Sequence, residues 1–243
     1  MYPQDGDTIN TITKVRLPNG QDVGIVDWNW KPLYSTVDMK SGMTDAELYG
    51  FVYGKGDNVT MSSNFTSAQQ RTATLKDTNI DSTSEMSSTE EMLVYSISLE
   101  VFQLVLSSDD IVVSGAGTPN PMAGNMAILH ERLIVSLEVS EKDYFQGGFG
   151  YFPAGFGPNV SAAYAPAAVG STRTFATNGM PSIEAVDRAP VPVHIGGTEK
   201  FKLIFANPGG ATLNFVDETG SSASTTVMRT RAYFRGLYKR PVA

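Results

Sequence analysis

Residues 93–101 read LVYSISLEV, and apolar and polar side chains alternate along this stretch. Successive side chains of a β-strand point to opposite sides, so alternation separates an apolar face from a polar one. The apolar positions are Leu93, Tyr95, Ile97, Leu99 and Val101, and the polar positions are Ser96, Ser98 and Glu100. The pattern predicts a half-buried antiparallel strand.

The same period of two recurs elsewhere in the chain. ERLIVSLEVSE (131–141) and EKFKLIF (199–205) each predict a strand with one apolar face, formed by Leu133, Val135, Leu137 and Val139 in the first and by Phe201, Leu203 and Phe205 in the second. Pro-Asn-Gly at 18–20 separates two short alternating runs and predicts a hairpin, because Asn and Gly tolerate positive φ.

Helical signals are few. MTDAELYGF (43–51) fits a helix of about two turns, and NPMAGNMAILHER (120–132) fits either a short helix or an early strand. SSTEEML (87–93) begins like a helix capping box, with Ser88 and Glu91, but the alternation that follows favours a strand after a brief turn.

Many short strands punctuated by Gly, Pro, Asn and Asp indicate an all-β protein. We predict an antiparallel β-sandwich of the jelly-roll type, with about eight principal strands and little helix. The simplest organisation is a single domain, 1–243, with residues 61–89 and 144–182 as long loop insertions that lack regular periodicity.

Composition excludes several classes of protein. The 243 residues include no cysteine, which rules out a disulfide scaffold, thiolate metal sites and cysteine nucleophiles. No apolar run approaches the roughly 20 residues of a transmembrane helix. The first ten residues, MYPQDGDTIN, lack the basic and apolar regions of a secretory signal, so we expect synthesis in the cytoplasm.

Motifs for catalysis are missing from the sequence. No nucleophile elbow, phosphate-binding loop or dinucleotide fingerprint is present, and His130 and His194 have no partners at metal-binding spacing, so both are expected as polar side chains on strands. The carboxylate doublets Glu90–Glu91 and Asp109–Asp110 are expected in solvated turns. DTNIDSTSE (77–85) loosely resembles a calcium loop but lacks its glycine, so we expect a surface turn. We predict no catalytic residue, metal or cofactor, and no enzymatic activity.

Acidic residues are concentrated in residues 1–110, and none follows Thr219. STTVMRTRAYFRGLYKRPVA (224–243) alternates between an apolar face (Met228, Ala232, Phe234 and Tyr238) and a basic face (Arg229, Arg231, Arg235 and Lys239). Like charges in a row repel one another, so the basic face suits nucleic-acid or lipid phosphates, or the acidic half of a neighbouring copy. An ordinary solvated face is the alternative.

The uncharged stretch FQGGFGYFPAGFGP (145–158) combines glycines with Phe145, Phe149, Tyr151, Phe152 and Phe156. Aromatic residues are enriched in interface cores, so we expect a subunit-contact loop, ahead of an intrachain plug or a small-ligand pocket. Trp28 and Trp30 are two residues apart and share a strand face, where they either stack on sugars or pack in a core or interface.

Three features taken together resemble the jelly-roll coat proteins of icosahedral bacteriophages. They are the cysteine-free β composition rich in Ser, Thr and Gly, the long interstrand loops, and the last strand TTVMRTRAYFRGLYKRPV, which runs almost to the terminus. The resemblance implies a virion protein that assembles with copies of itself and other virion proteins through loops and termini, without catalytic residues. The alternatives are a carbohydrate-binding or receptor-binding sandwich of a phage tail or surface protein, and a jelly-roll hydrolase.

Overall fold

The structure is a computed structural model that describes residues 14–16, 20, 22–24, 28–105, 122–152, 159–164, 172–177, 191–217 and 224–239. The described chain is predominantly β, with one α-helix and two turns of 3₁₀ helix, Ser67–Gln69 and Phe149–Tyr151. Its elements are β1 Lys14–Arg16, β2 Asp22–Gly24, β3 Trp28–Trp30, β4 Leu33–Lys40, β5 Glu47–Gly50, β6 Thr60–Met61, β7 Glu91–Val105, α1 Met122–Arg132, β8 Ile134–Val139, β9 Lys142–Gly148, β10 Asn159–Tyr164, β11 Thr172–Thr177, β12 Val193–Ile195, β13 Phe201–Ala206 and β14 Thr226–Lys239.

Two principal sheets are present. The larger sheet has the order β12-β7-β14-β4-β6, with β3 also paired to β14, and the smaller sheet has the order β5-β13-β8-β9. Two further hairpins, β1–β2 and β10–β11, form separate two-stranded sheets. The first of them confirms the hairpin predicted around Pro-Asn-Gly, and Gly20 adopts a φ of +83°.

Pairing between strands is nested. β4 pairs with β14, β5 with β13, β7 with β12 and β8 with β9, and each of these pairs is antiparallel. Two central pairs, β7–β14 and β8–β13, are antiparallel as well and complete the two sheets.

β3 and β4 are one strand with a break. Trp30 lies opposite Leu237 and Leu33 lies opposite Phe234, so the register with β14 is the same on both sides of the break. The break falls at Lys31–Pro32, where Pro32 has no N–H to donate to the ladder. The continuous register places Trp28 and Trp30 on the same face of the sheet as Tyr34 and Asp38.

The hydrophobic core draws side chains from both principal sheets. Phe51 stacks on Phe234 with ring centres 3.9 Å apart, and Phe201 lies 6.0 Å from each of these two rings. The apolar faces predicted for β8, β13 and β14 are confirmed, because Leu133, Val135, Leu137, Val139, Phe201, Leu203, Phe205, Met228, Ala232, Phe234 and Tyr238 are all buried in this core.

The predicted apolar face of β7 is only half right. Ile97, Leu99 and Val101 are in the core, but Leu93 packs with Trp28 on the opposite side of the sheet. The cause is a bulge: Ser96 lies opposite Arg235 and Val94 opposite Gly236, which leaves Tyr95 as an extra residue. An extra residue reverses the facing of the residues beyond it, so Met92 and Val94 point into the core.

The helical predictions have mixed outcomes. Residues 122–132 form α1, which resolves the alternative between helix and strand. The helix predicted within 43–51 is wrong, because Glu47–Gly50 form β5 and pair with β13. A two-turn helix is marginal without packing, whereas pairing satisfies the backbone of this segment. The turn before β7 is confirmed, with the Glu90 amide donating to the Ser87 carbonyl at 2.9 Å.

Two segments without sequence periodicity differ in structure. Residues 61–89 are mostly irregular, with the 3₁₀ turn Ser67–Gln69 as their one helical element, and this whole segment is described. Residues 144–182 contain the end of β9, the 3₁₀ turn Phe149–Tyr151 and the hairpin β10–β11.

Candidate functional site: the outer face of the larger sheet

The basic face of β14 lies on the side of the larger sheet that points away from the core, which we call the outer face. Arg229, Arg231, Arg235 and Lys239 alternate along β14 with core residues, as predicted. Their neighbours on the outer face come from β7, from β3 and β4, and from residues 51–89, which fold along the edge of β4.

Asp38 is the centre of a buried ion network. Its side chain is 2% exposed. Arg229 donates from Nε and a terminal nitrogen to the two carboxylate oxygens at 2.8 and 3.0 Å. Arg71 donates to Asp38 Oδ2 at 3.1 and 3.0 Å, and it reaches Asp77 Oδ1 at 2.5 Å. Two guanidinium groups thus share one carboxylate from β4, and Arg71 connects the 61–89 segment to the sheet.

Asp77 is fixed by the chain around it. Burial on its own would raise the pKa of Asp77, but hydrogen bonds from the Thr74 backbone and from Arg71 outweigh it and lower the pKa. Burial on its own would likewise lower the pKa of Arg71, and the nearby charge of Asp38 reverses this so that the pKa is raised. Both groups are therefore held in their charged forms.

Two other cations of the row also have carboxylate partners in this chain. Arg231 lies 3.6 Å from Glu100 on β7 and donates to the Lys76 carbonyl at 2.8 Å. Lys239 donates to Glu91 at 2.6 Å, and this bond is the main reason that the pKa of Glu91 is lowered. Arg229, Arg231 and Lys239 therefore have carboxylate partners within the chain and do not depend on phosphates or another copy for neutralisation.

Arg235 differs from the rest of the row. It is half-buried, lies opposite Ser96 on β7 and has no ion pair with any residue that the structure describes. On its other side the ladder is interrupted at Lys31–Pro32, so no acidic strand residue faces it there.

Residues 51–89 cover the free edge of β4. β6 pairs with β4 in parallel, Thr78 bridges to Ser35, and the Tyr53 hydroxyl donates to the Thr36 carbonyl while accepting from the Thr36 amide at 3.0 Å. Burial is the main reason that the pKa of Tyr53 is raised to about 12. The expected surface turn at 77–85 is wrong for Asp77, which is buried and used as a partner for Arg71.

The aromatic stretch is divided between the core and the surface. Phe149 and Phe152 are buried in the core of this chain, so these two rings are not available to another subunit. Phe145 is partly buried against the same core. The Phe152 carbonyl accepts from the Leu99 amide at 2.9 Å, which places the 3₁₀ turn at the edge of β7. Tyr151 is 55% exposed. Phe156 lies outside the described residues.

The two tryptophans share the outer face but differ in exposure. Trp28 is 9% exposed and packs with Leu93, Tyr95 and Leu237, whereas Trp30 is 60% exposed. Trp30 is therefore the one of the two that can offer a ring face to a ligand.

Neither histidine belongs to a metal cluster in the part of the chain that the structure describes. His130 lies on α1, not on a strand as expected, with its ring centre 5.6 Å from that of Phe149. His194 lies on β12, with Nε2 3.1 Å from Glu91. Among the described residues, no group of three or more His, Cys, Asp and Glu could hold a metal ion, and no helix is long and apolar enough to cross a membrane. Asp109–Asp110 lie outside the described ranges.

Comparison of the chain with protein-family models, curated proteins and solved structures finds no match. We therefore infer function from the strand topology and from the surfaces described above.

Proposed function

We propose that this chain is a non-enzymatic structural subunit of a virion, a coat protein that assembles with copies of itself. The observation that carries the proposal is the nested strand pairing. Among the eight principal strands, β4, β5, β7, β8, β9, β12, β13 and β14, the first pairs with the last and each following strand with its counterpart from the other end.

A jelly roll is this arrangement: a long antiparallel hairpin rolled into two facing sheets of four strands, as in viral capsid domains, lectin domains and cupins. Here the two sets of four are β12-β7-β14-β4 and β5-β13-β8-β9. The order supports the jelly-roll assignment beyond a general β-sandwich. Because the fold serves several functions, the interior and the edges carry the rest of the proposal.

The described interior is filled by large apolar side chains. Phe51, Phe201, Phe205 and Phe234 are almost completely buried between the sheets, together with methionines and leucines. These rings occupy the space in which a jelly-roll enzyme would hold a ligand or a metal. A filled interior supports a structural role.

β9 supplies a lateral surface for assembly. All seven of its residues are exposed or half-exposed, and in the described chain it pairs with β8 alone. A bulge lies between Tyr144 and Gly147, where Phe145 has a φ of +50°. It interrupts the edge of β9 and so disfavours a long run of backbone hydrogen bonds with a strand of another chain. Side chains, above all Tyr144 at 38% exposure, are therefore the expected contacts with a second copy.

The first experiment is electron microscopy and light scattering of the purified chain over a range of concentrations. We expect large oligomers or closed particles, because a shell is built from several contacts that each bury about 1,600 Å². A chain that stays monomeric at every concentration and pH contradicts the proposal.

A surface variant tests the contact itself. Tyr144→Lys introduces a charge into the proposed contact and is expected to reduce assembly, while the melting temperature stays close to that of the parent because the side chain is already partly exposed. Leu75→Lys is the matched control: Leu75 is 64% exposed and lies in the segment that covers the opposite sheet. Equal assembly of the two variants rules out β9 as the contact.

A further inference from the structure

Aromatic residues stand on both sides of Arg235 along the outer face, and we call the strip between them the groove. Its floor is Arg235 on β14, with Ser96 of β7 opposite it on one side and Pro32, by the continuous register of β3 and β4, on the other. One wall is the pair Tyr34 and Tyr233, which lie opposite each other with ring centres 5.9 Å apart. Trp30, opposite Leu237 and two positions further along β14, forms the other wall.

The tyrosine wall is held in place by hydrogen bonds within the protein. The Tyr34 hydroxyl donates to the Leu75 carbonyl at 2.5 Å, and the Tyr233 hydroxyl donates to Glu100 at 2.9 Å. On the other side, Leu237 packs against buried Trp28, beside the exposed Trp30. A preformed site loses little conformational entropy when a ligand binds.

The groove contains a charge without a partner in the described structure. Arg235 is half-buried and has no acidic partner there, in contrast with the other three cations of β14. A carboxylate is the natural complement of a planar guanidinium, because it accepts two parallel hydrogen bonds.

We propose that this groove binds an acidic saccharide, with the carboxylate of a uronate-type sugar on Arg235 and a sugar ring against Trp30. Trp30 is 60% exposed, so its aromatic face is available to a sugar ring. Trp30 and Arg235 are diagonal neighbours on a strand pair, and such neighbours lie about 7–8 Å apart, which matches the width of one pyranose ring. One unpaired arginine on the described part of the outer face, in a chain of net charge −7, is too little for a nucleic-acid backbone. The site is independent of the proposed assembly through β9.

The test is equilibrium dialysis of the full chain with tetragalacturonate and with its methyl ester, which keeps the rings and removes the negative charges. We expect tetragalacturonate to bind about 10-fold to 100-fold more tightly, the range that a charge-assisted hydrogen bond supplies. Arg235→Gln should abolish that preference and leave binding of the ester unchanged, and Trp30→Ala should weaken binding of both. Lys200→Gln, an exposed cation outside the groove, should change neither.

Two outcomes would overturn the inference. One is a parent chain that binds tetragalacturonate and its ester alike, or a folded Arg235→Gln variant that keeps the parent's preference for tetragalacturonate. The other is displacement of tetragalacturonate by tetraglutamate at equal concentration, which would indicate an acidic peptide as the partner. Circular dichroism of each variant separates lost binding from lost folding, and light scattering shows whether assembly persists, so the two proposals fail independently.

Discussion

Asp38 shows how a single carboxylate organises the outer face. It lies on β4, and its partners Arg71 and Arg229 lie on the covering segment and on β14. A buried ion pair adds little compared with apolar packing, but removing one partner leaves the others buried and uncompensated. The network therefore fixes the position of residues 51–89 more than it increases the net stability.

Asp38→Asn should lower the free energy of unfolding by about 3–5 kcal/mol, because two guanidinium groups then lose their shared charge. Urea denaturation with a constant m-value measures this loss. Glu100→Gln is the control, since Arg231 and Glu100 are partly exposed and 3.6 Å apart; its expected cost is below about 1 kcal/mol. Equal losses in the two variants would show that burial of Asp38 has no special role.

Asp77 gives the protein an acid-sensitive contact. Its pKa is lower in the folded chain than in the unfolded chain, so the unfolded chain binds the proton more tightly. The contribution of Asp77 is fully present above its unfolded pKa, about 4, and is lost as the pH falls through the folded value. We expect the unfolding free energy to fall below about pH 4, and to fall less steeply in Asp77→Asn. Identical acid profiles would contradict this assignment.

The bulge in β7 is an element-level feature with a consequence for packing. It turns Leu93 to the outer face, where this side chain supports Trp28, and it turns Met92 and Val94 into the core. The backbone passes very close to β14 at this point: a Cβ added to Gly236 would lie 1.8 Å from the Leu93 carbonyl oxygen. Glycine is required here by contact rather than by its φ.

Gly236→Ala should therefore destabilise the protein severely, by more than about 3 kcal/mol, or prevent folding, because backbone must move to admit the methyl group. Gly124→Ala is the matched control: Gly124 lies in α1 with nothing within 4 Å of an added Cβ, so alanine should be neutral or stabilising by up to about 1 kcal/mol. Thermal melts compare the two. A Gly236→Ala variant that melts at the parent temperature would refute the bulge.

At the scale of the whole molecule, two of the strand edges of the principal sheets, those of β4 and β9, differ in how they are covered. The edge of β4 is covered by residues 51–89, whereas β9 is exposed along its length. Because the edge of β4 is covered and the edge of β9 is open, contact with another chain is expected at β9. Three of the four cations on β14 are already neutralised within the chain, so they contribute little to contacts between chains.

Assembly should accordingly depend only weakly on salt. The Debye length falls from about 10 Å at 0.1 M salt to about 3 Å at 1 M, which screens exposed charges but not apolar contacts such as those of Tyr144. We expect light scattering from assembled material to change less than about twofold across this range. Dissociation by salt would instead assign assembly to ionic contacts, and Tyr144→Lys would then have little effect.

Much of the strand content could be predicted from periodicity alone. The faces of β8, β13 and β14 follow directly from alternation, because a half-buried strand needs apolar side chains at every second position. The sequence predicts the jelly-roll type of sandwich but not which strands pair with one another. β4 and β14 are joined by contacts between residues about 190 positions apart, such as Arg229 with Asp38, and no local pattern specifies such a pairing.

Alternation along the chain is enough to show that it is built from half-buried strands and which side of most of them is apolar, since these properties depend on neighbouring residues. No local pattern shows which carboxylates neutralise the basic face, where β7 gains its extra residue, or that Phe149 and Phe152 are buried in the core. Those outcomes depend on groups that are distant in the chain and become neighbours only when the two sheets pack together.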